Sequence, residues 1–290
     1  MAAANTTLSP RVRALGAALR AVREEHGISN RELAVRLSID QSHLSRIETG
    51  KKTPSTETTA MILAVLRTPP EERERILGLA RNAREPNWLT VGTPGIPQQL
   101  AGAWECERAA TAITEWHHNL VPGLLQTADY ARAVTKETLL VDGDDDDVST
   151  VESRVMVKTS RRSILTGRSP VRFDALISES SLRDPIGSWE VMAEQLRHLI
   201  TMGSAPNISI RIVPRDIGFH PGMAGPFVFY EFDDAPPVVH FEHHRSAAFN
   251  QDADDAKSYR NVVVALNGVA KSEQDSTEFI AQVLIDEWSG

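Results

Sequence analysis

The chain has 290 residues, of which 41% are hydrophobic and 24% charged, the proportions of an ordinary globular protein with room for two domains. No apolar run approaches the ~18 residues that would span a bilayer, the N-terminus lacks the apolar core of a signal peptide, and the single cysteine, Cys106, excludes an intramolecular disulfide. A reducing, cytoplasmic location is therefore expected.

Charge is unevenly spread. Residues 1–86 hold 14 Lys/Arg and 10 Asp/Glu, a net of +4, against −8 for the whole chain, so residues 87–290 carry −12. A mildly basic module is joined to an acidic body, which discourages non-specific contact with polyanions outside the module.

Ser9-Pro10 predicts a helix start, with Ser at the cap and Pro in the first turn. Leu15, Ala18, Leu19 and Val22 follow at helical spacing, and Gly27 ends the run. Ser29 and Glu32 form the sequence signature of a capping box for a second helix, in which Leu33, Ala34 and Leu37 face inward. Ser38-Ile39 makes a turn, and Asp40 caps a third helix whose Leu44 and Ile47 point to the core. Gln41, Ser42, His43, Ser45 and Arg46 are left on or beside its outward face.

Those residue types suit DNA base edges: Gln pairs bidentately with adenine and Arg with guanine, and Ser adapts to either role. Asn30 and Arg31, at the start of the second helix, and Lys51 and Lys52, in the loop after the third, are expected on phosphates. Ser55 caps a fourth helix (Thr59, Ile62, Leu63, Leu66), and Pro69-Pro70 introduces a fifth, Arg73 to Arg84. A bundle whose polar face is merely solvated is the alternative. The ordered succession of cap, turn, SRIE, Gly50, basic loop and Pro54 argues against it.

Residues 12–66 resemble the xenobiotic-response-element family of helix-turn-helix regulators, related to the phage repressors. The resemblance is carried by ALRAVREEHGIS, RELA, QSHLSRIETG and KKTPS. Asn30 stands where the family usually has Gln. Glu48 matches the family's acidic position and reads as structural, bridging to a nearby basic residue or helix end, since a carboxylate facing DNA would be repelled.

Pro and Gly in residues 86–97 mark a linker. Helical patterns follow over Leu100 to Trp116, Gly123 to Leu139 and Val148 to Thr166, with the acidic run Asp142 to Asp147 as a solvated loop. Strands are expected at Val171 to Ser178 and Ile208 to Pro214, separated by a helix from Ser188 to Met202. GPFVFYEF and PPVVHFEHH flank Asp233-Asp234 as a hairpin, and two helices, Asp252 to Val269 and Ser272 to Trp288, end the chain. The expected architecture is a helix-turn-helix bundle of about five helices over residues 9–85, a linker over 86–98, and a larger α+β domain over 99–288 with a small, mostly antiparallel sheet.

The body resembles the WhiJ-like, antitoxin-like regulators of actinobacteria. The matching stretches are WHHNLVPGLLQTADYARAV, the helix with Arg154, Arg161 and Arg162, ESSLR, MAEQLRHL, IRIVPRDIGFHPGMAGPFVFYEF and VVHFE. It departs at Ser163, where the group often has Gln, and at ISESSLR. The resemblance implies a regulatory protein, often encoded beside a small partner protein.

Little in the body points to chemistry. His240, Glu242 and His244 share one face of a strand and form a conceivable metal trio, yet exposed strand ends commonly carry His without metal, and no metal or cofactor is expected. Phosphate-cradling Gly-rich loops and a nucleophile elbow are missing, so no enzyme is expected. Trp116, Leu124, Leu125, Phe227, Phe229, Phe241 and Glu242, with Arg161 or Arg162, either line a pocket for a ligand or small protein or are core and its rim; the core account is the simpler. The resulting expectation is a transcription regulator that binds a double-stranded DNA operator as a homodimer, with a body that binds a small protein or ligand. The alternative is a protein-interaction module with little DNA binding.

Overall fold

The computed structural model of the chain describes residues 10–81, 83, 87–91, 98–142, 148–233, 235–243 and 246–288. Two compact units emerge. Unit 1 takes in the described residues up to Ala109 together with Glu231–Val238 and His243–Ala253. Unit 2 comprises Ala110–Tyr230, Val239–Glu242 and the described residues from Asp254 onward.

Unit 1 begins with five helices: α1 (Pro10–Glu25), α2 (Asn30–Arg36), α3 (Gln41–Glu48), α4 (Thr56–Val65) and α5 (Pro70–Arg81). Their apolar positions recur at helical spacing and close one core of Leu15, Leu19, Leu33, Leu44, Ile47 and Ile62 among others, with Leu37 and Ile39 partly buried at its margin. Caps fix where the helices start. Ser29 Oγ accepts the Glu32 N–H at 3.1 Å, Asp40 Oδ1 the Ser42 N–H at 2.6 Å, and Ser55 Oγ the Thr58 N–H at 3.1 Å. The capping box at Ser29 is only half formed, because the Glu32 carboxylate pairs with Arg36 at 2.6 Å. Gly27 and Gly50 end α1 and α3 with φ of 64° and 71°, and Ser38 makes the α2–α3 turn at φ 54°. Ser9, the expected first cap, lies outside the described residues.

The stretch read as a linker, 86–98, contains a strand, β1 (Asn87–Val91), and leads into α6 (Gln98–Ala109). Trp88, Leu89, Thr90 and Val91 are strand formers that the flanking Pro and Gly masked. β1 pairs antiparallel with β7 (Ser246–Asn250), Asn87 opposite Asn250. Residue 86 and residues 92–97 lie outside the described residues. Phe249 of β7 packs under Gly102 of α6, where an added Cβ would come within 2.9 Å of the ring. The Arg13 guanidinium stands 5.5 Å over the Phe232 ring.

Unit 2 is α+β. In chain order it contains β2 (Ala112–His117), a 3-10 turn (Gly123–Leu125), α7 (Ala128–Asp142), α8 (Val148–Ser160), α9 (Ser163–Thr166), β3 (Arg172–Ser178), α10 (Ser180–Arg183), α11 (Trp189–Met202) and β4 (Ile208–Val213). A second 3-10 turn (Pro221–Ala224), most of β5 (Phe227–Glu231) and β6 (Val238–His243), α12 (Ala253–Val269) and α13 (Glu273–Trp288) complete it. Strand order here is β6-β5-β2-β3-β4. The fold class is the one expected, and to it the structure adds a parallel stretch: β2, β3 and β4 all run in one direction. Each parallel pair needs a crossover, supplied by α7–α9 and then by α10–α11.

Three helix boundaries differ from expectation. The helix expected over Leu100 to Trp116 stops at Ala109, and 112–117 is a strand; Ile113, Thr114 and Trp116 favour a pleated, half-buried surface over a helix. The helix expected from Gly123 opens as a 3-10 turn before α7, because Thr127 Oγ1 accepts the Tyr130 N–H at 3.3 Å and resets the start. The Val148 to Thr166 run divides into α8 and α9. Residues 143–147 of the acidic loop and Asp234 of the hairpin lie outside the described residues. Among the described residues no helix is long and apolar enough to cross a membrane.

Candidate nucleic-acid interface

The outward face of α3 is polar because its inward face is spent on the core. Leu44 and Ile47 are fully buried, while Gln41, Ser42, Ser45 and Arg46 are exposed and His43 is half-buried. Asp40 caps the helix start; the Ser42 hydroxyl, then its N–H, holds the Asp40 carboxyl below the usual carboxylate range. Arg31 is exposed at the start of α2, and Lys51 and Lys52 are exposed after α3. The loop carrying the lysines is tied back by the Lys52 N–H to the Arg46 carbonyl at 2.9 Å.

What orients α3 lies at its far end. Glu48 is buried, and Arg23 of α1 donates Nε to Oε1 at 2.6 Å and Nη2 to Oε2 at 2.9 Å. The remaining guanidinium nitrogen of Arg23 reaches the Ile28 carbonyl at 2.8 Å. Hydrogen bonding to Glu48 raises the Arg23 pKa above its ordinary value. Asn30, expected on a phosphate, donates its amide to Glu48 Oε2 at 3.0 Å instead. Its side chain thereby locks the start of α2 to the end of α3. Gly16 lets α1 approach closely: an added Cβ would come 2.9 Å from the Glu48 carbonyl oxygen and closer still to that of Ile47.

The residues expected to share a pocket in the body divide between two faces of the unit 2 sheet. Trp116, Phe227, Phe229 and Phe241 lie in one apolar cluster with Leu266 of α12, and the Trp116 indole donates to the Gly222 carbonyl at 2.8 Å. Leu124 and Leu125 are buried in the 3-10 turn. That turn is stapled from several sides: Gln195 Nε2 donates to the Leu125 carbonyl at 2.8 Å, Gln126 Nε2 to the Val121 carbonyl at 2.8 Å, and the Arg162 guanidinium to the Gln126 carbonyl. Arg162 is thus engaged in holding the VPGLLQT loop. Glu242 alternates with Phe241, and His117 with Trp116, so both take the opposite sheet face, while Arg161 Nη1 lies 4.0 Å from where a Cβ on Gly123 would stand. Lys158, which the sequence reading did not single out, recurs with Arg154 and Arg161 at helical spacing. Of the conceivable metal trio, His240 is buried and Glu242 exposed, while His244 lies outside the described residues. Among the described residues no three His, Cys, Asp or Glu side chains are placed to hold a metal.

Comparison with known proteins bears on both halves. A family described as a helix-turn-helix domain matches residues 14–76, and a family described as a domain of unknown function (DUF5753) matches residues 100–282. Curated proteins give no match. Among solved structures, that of TrmBL2, an archaeal chromatin protein with a novel mode of DNA binding, aligns over 84% of this chain and 88% of that one at 12% identity, with a TM-score of 0.30; a likeness that slight carries no weight for fold or function.

Proposed function

The chain belongs to the family of the domain of unknown function DUF5753, and because a helix-turn-helix domain precedes that domain, we propose that it is a sequence-specific DNA-binding transcription regulator. Its α3 enters the major groove. Gln41, Ser42, His43, Ser45 and Arg46 meet base edges, and Arg31, Lys51 and Lys52 meet phosphates. The observation that carries this reading is the pairing of an exposed polar α3 face with a buried Arg23–Glu48–Asn30 network at its other end. A helix that reads bases must be held at a fixed angle, and a merely solvated face needs no such anchor.

The chain works by binding, without turnover, and as a homodimer. One small module buries limited DNA surface, whereas two modules reading half-sites roughly 34–36 Å apart gain affinity and match a palindrome. The DUF5753 body senses a small ligand or a partner protein and supports the dimer.

Footprinting on the DNA upstream of the gene, repeated across a salt series, tests this. A protected palindrome whose affinity falls steeply with salt, as counterions are released, is the expected result. A chain that leaves DNA unprotected while holding a protein partner with little salt dependence would be an interaction module instead.

A further inference from the structure

Arg13, Gly16 and Arg23 share one face of α1, and each meets the far end of α3. Arg23 holds Glu48, Gly16 faces the Ile47 and Glu48 carbonyls, and Arg13 faces Gly50. An added Cβ on Gly50 would stand 2.7 Å from Arg13 Cγ and 2.8 Å from Arg13 Cα. Gly50 is buried and has φ of 71°. Two demands thus fall on one residue: a left-handed turn, and no side chain where the stem of Arg13 lies. Gly50 also stands where α3 hands over to the lysine loop. Its N–H donates to the Ile47 carbonyl at 3.0 Å, and the Lys52 N–H to the Arg46 carbonyl at 2.9 Å. Lys51 and Lys52 follow directly and are exposed. The place of Arg13 therefore sets where the chain turns from α3 into its lysines.

Arg13 is itself held from a distant part of the sequence. Its guanidinium stands 5.5 Å over the Phe232 ring, one of several contacts that this side chain makes. Phe232 is half-buried and follows directly on β5, and the segment Glu231–Val238 belongs to unit 1 together with the helices. An arginine packed only along its stem keeps the rotamer freedom of its head. A flat aromatic face under the guanidinium fixes the head as well, so the stem that fills the space beside Gly50 is pinned at both ends.

We propose that Arg13 is a positioning residue for the phosphate contacts of Lys51 and Lys52, and that Phe232 is the clamp that keeps it in place. Neither residue lies within 14–76, the stretch that matches a helix-turn-helix domain. The DNA-reading apparatus then includes a residue from the C-terminal body, and the lysine loop is set partly by the segment after β5. The role rests on the reading of α3 and its loop as the DNA contact. A clamp that served only to glue this segment to the bundle would act on stability alone; one that acts through the lysines changes DNA affinity only while the lysines are present.

Binding of the full chain to random-sequence duplex DNA, at a salt concentration where every variant binds, tests it. Phe232→Leu keeps the apolar bulk but offers no aromatic face, and should weaken binding about two- to fivefold, the worth of one cation–aromatic contact at a partly exposed site. Phe232→Tyr should bind as the parent does. In a chain that already carries Lys51→Ala and Lys52→Ala, Phe232→Leu should change nothing further, because its effect runs through those lysines. An equal loss in both backgrounds, or no loss in either, overturns the proposal. Amide exchange gives a second readout that needs no DNA. In Phe232→Leu the Lys52 amide should exchange about two- to fivefold faster, while the Leu66 amide, bonded to the Ile62 carbonyl at 3.0 Å, keeps its rate. An unchanged Lys52 rate, or a rise shared equally by Leu66, also overturns it. A chain that shows the exchange shift but binds no DNA loses the regulator reading and keeps the clamp on the loop. One that binds DNA and ignores Phe232→Leu loses the positioning role alone.

Discussion

Arg23 on α1 holds Glu48 at the end of α3 through two parallel hydrogen bonds of 2.6 and 2.9 Å, with side-chain exposures of only 10% and 5%. A carboxylate there opposes the negative end of the helix dipole and is kept charged by a fork whose geometry matches it. Removing one partner strands the other. Glu48→Ala should therefore cost about 3–5 kcal/mol in urea unfolding, and Glu48→Gln less, since the amide oxygen still accepts from Arg23. A loss below about 1 kcal/mol for Glu48→Ala would show that the pair anchors nothing.

Gly16 sets the approach of α1 to α3. Alanine is the better helix former by about 1 kcal/mol, yet its Cβ would press on the Ile47 and Glu48 carbonyls, 2.9 Å from the latter. Backbone atoms in a packed bundle yield little, so overlap wins and Gly16→Ala should destabilise by about 1–3 kcal/mol. A variant as stable as the parent would mean that the helices part freely.

On DNA, Gln41→Ala and Arg46→Ala should each cost about 1–3 kcal/mol on the cognate site and relax base preference. Lys52→Ala should weaken cognate and random DNA alike and lower the salt slope by about 1. Binding assays on both DNAs across salt separate the two classes. Equal losses on cognate and random sequence for Arg46→Ala would remove it from the groove.

His117 and His240 make stability depend on pH. Burial depresses both to about 4, with the neighbouring charge of His118 assisting at His117 and Glu242 opposing at both. The unfolded rings titrate near ~6.5, so between about pH 6.5 and 4 the unfolded chain takes up protons that the folded one refuses. Stability is full above that window and falls as pH drops through it, by at most about 1.4 kcal/mol per pH unit for each ring. Urea unfolding at several pH values should show the slope, and His240→Asn should flatten it. Identical slopes in parent and variant would assign the loss to other groups.

The helix-turn-helix bundle was legible because each of its signals is local: a cap and its acceptor lie within three residues, and the apolar spacing of Leu33, Leu44 and Ile47 reports one helix face at a time. Glu48 was legible as structural from charge alone, though its partner, Arg23, is 25 residues away in sequence. The body was less so. AITEWH reads equally as the end of a helix or as a strand, and only pairing with β3, Trp116 opposite Leu176, decides it. The aromatic residues named for a pocket stand together in one apolar cluster, but which sheet face each residue takes depends on register, and register divided Trp116 from Glu242.

Asn87 finds its partner only at Asn250, and Phe232 reaches back to Arg13. The bundle of α1–α5 closes its own core and can form while the ribosome is still making the body. The edge strand β1, by contrast, must wait with its ladder groups unfilled while more than half of the chain is made, since chains emerge at about 5–20 residues per second. An exposed strand edge held open that long is a template for another chain. A truncated gene product ending before β7 would therefore carry a complete α1–α5 bundle and a permanently sticky flank, so yield and aggregation of such fragments would report how much the late-arriving strand matters.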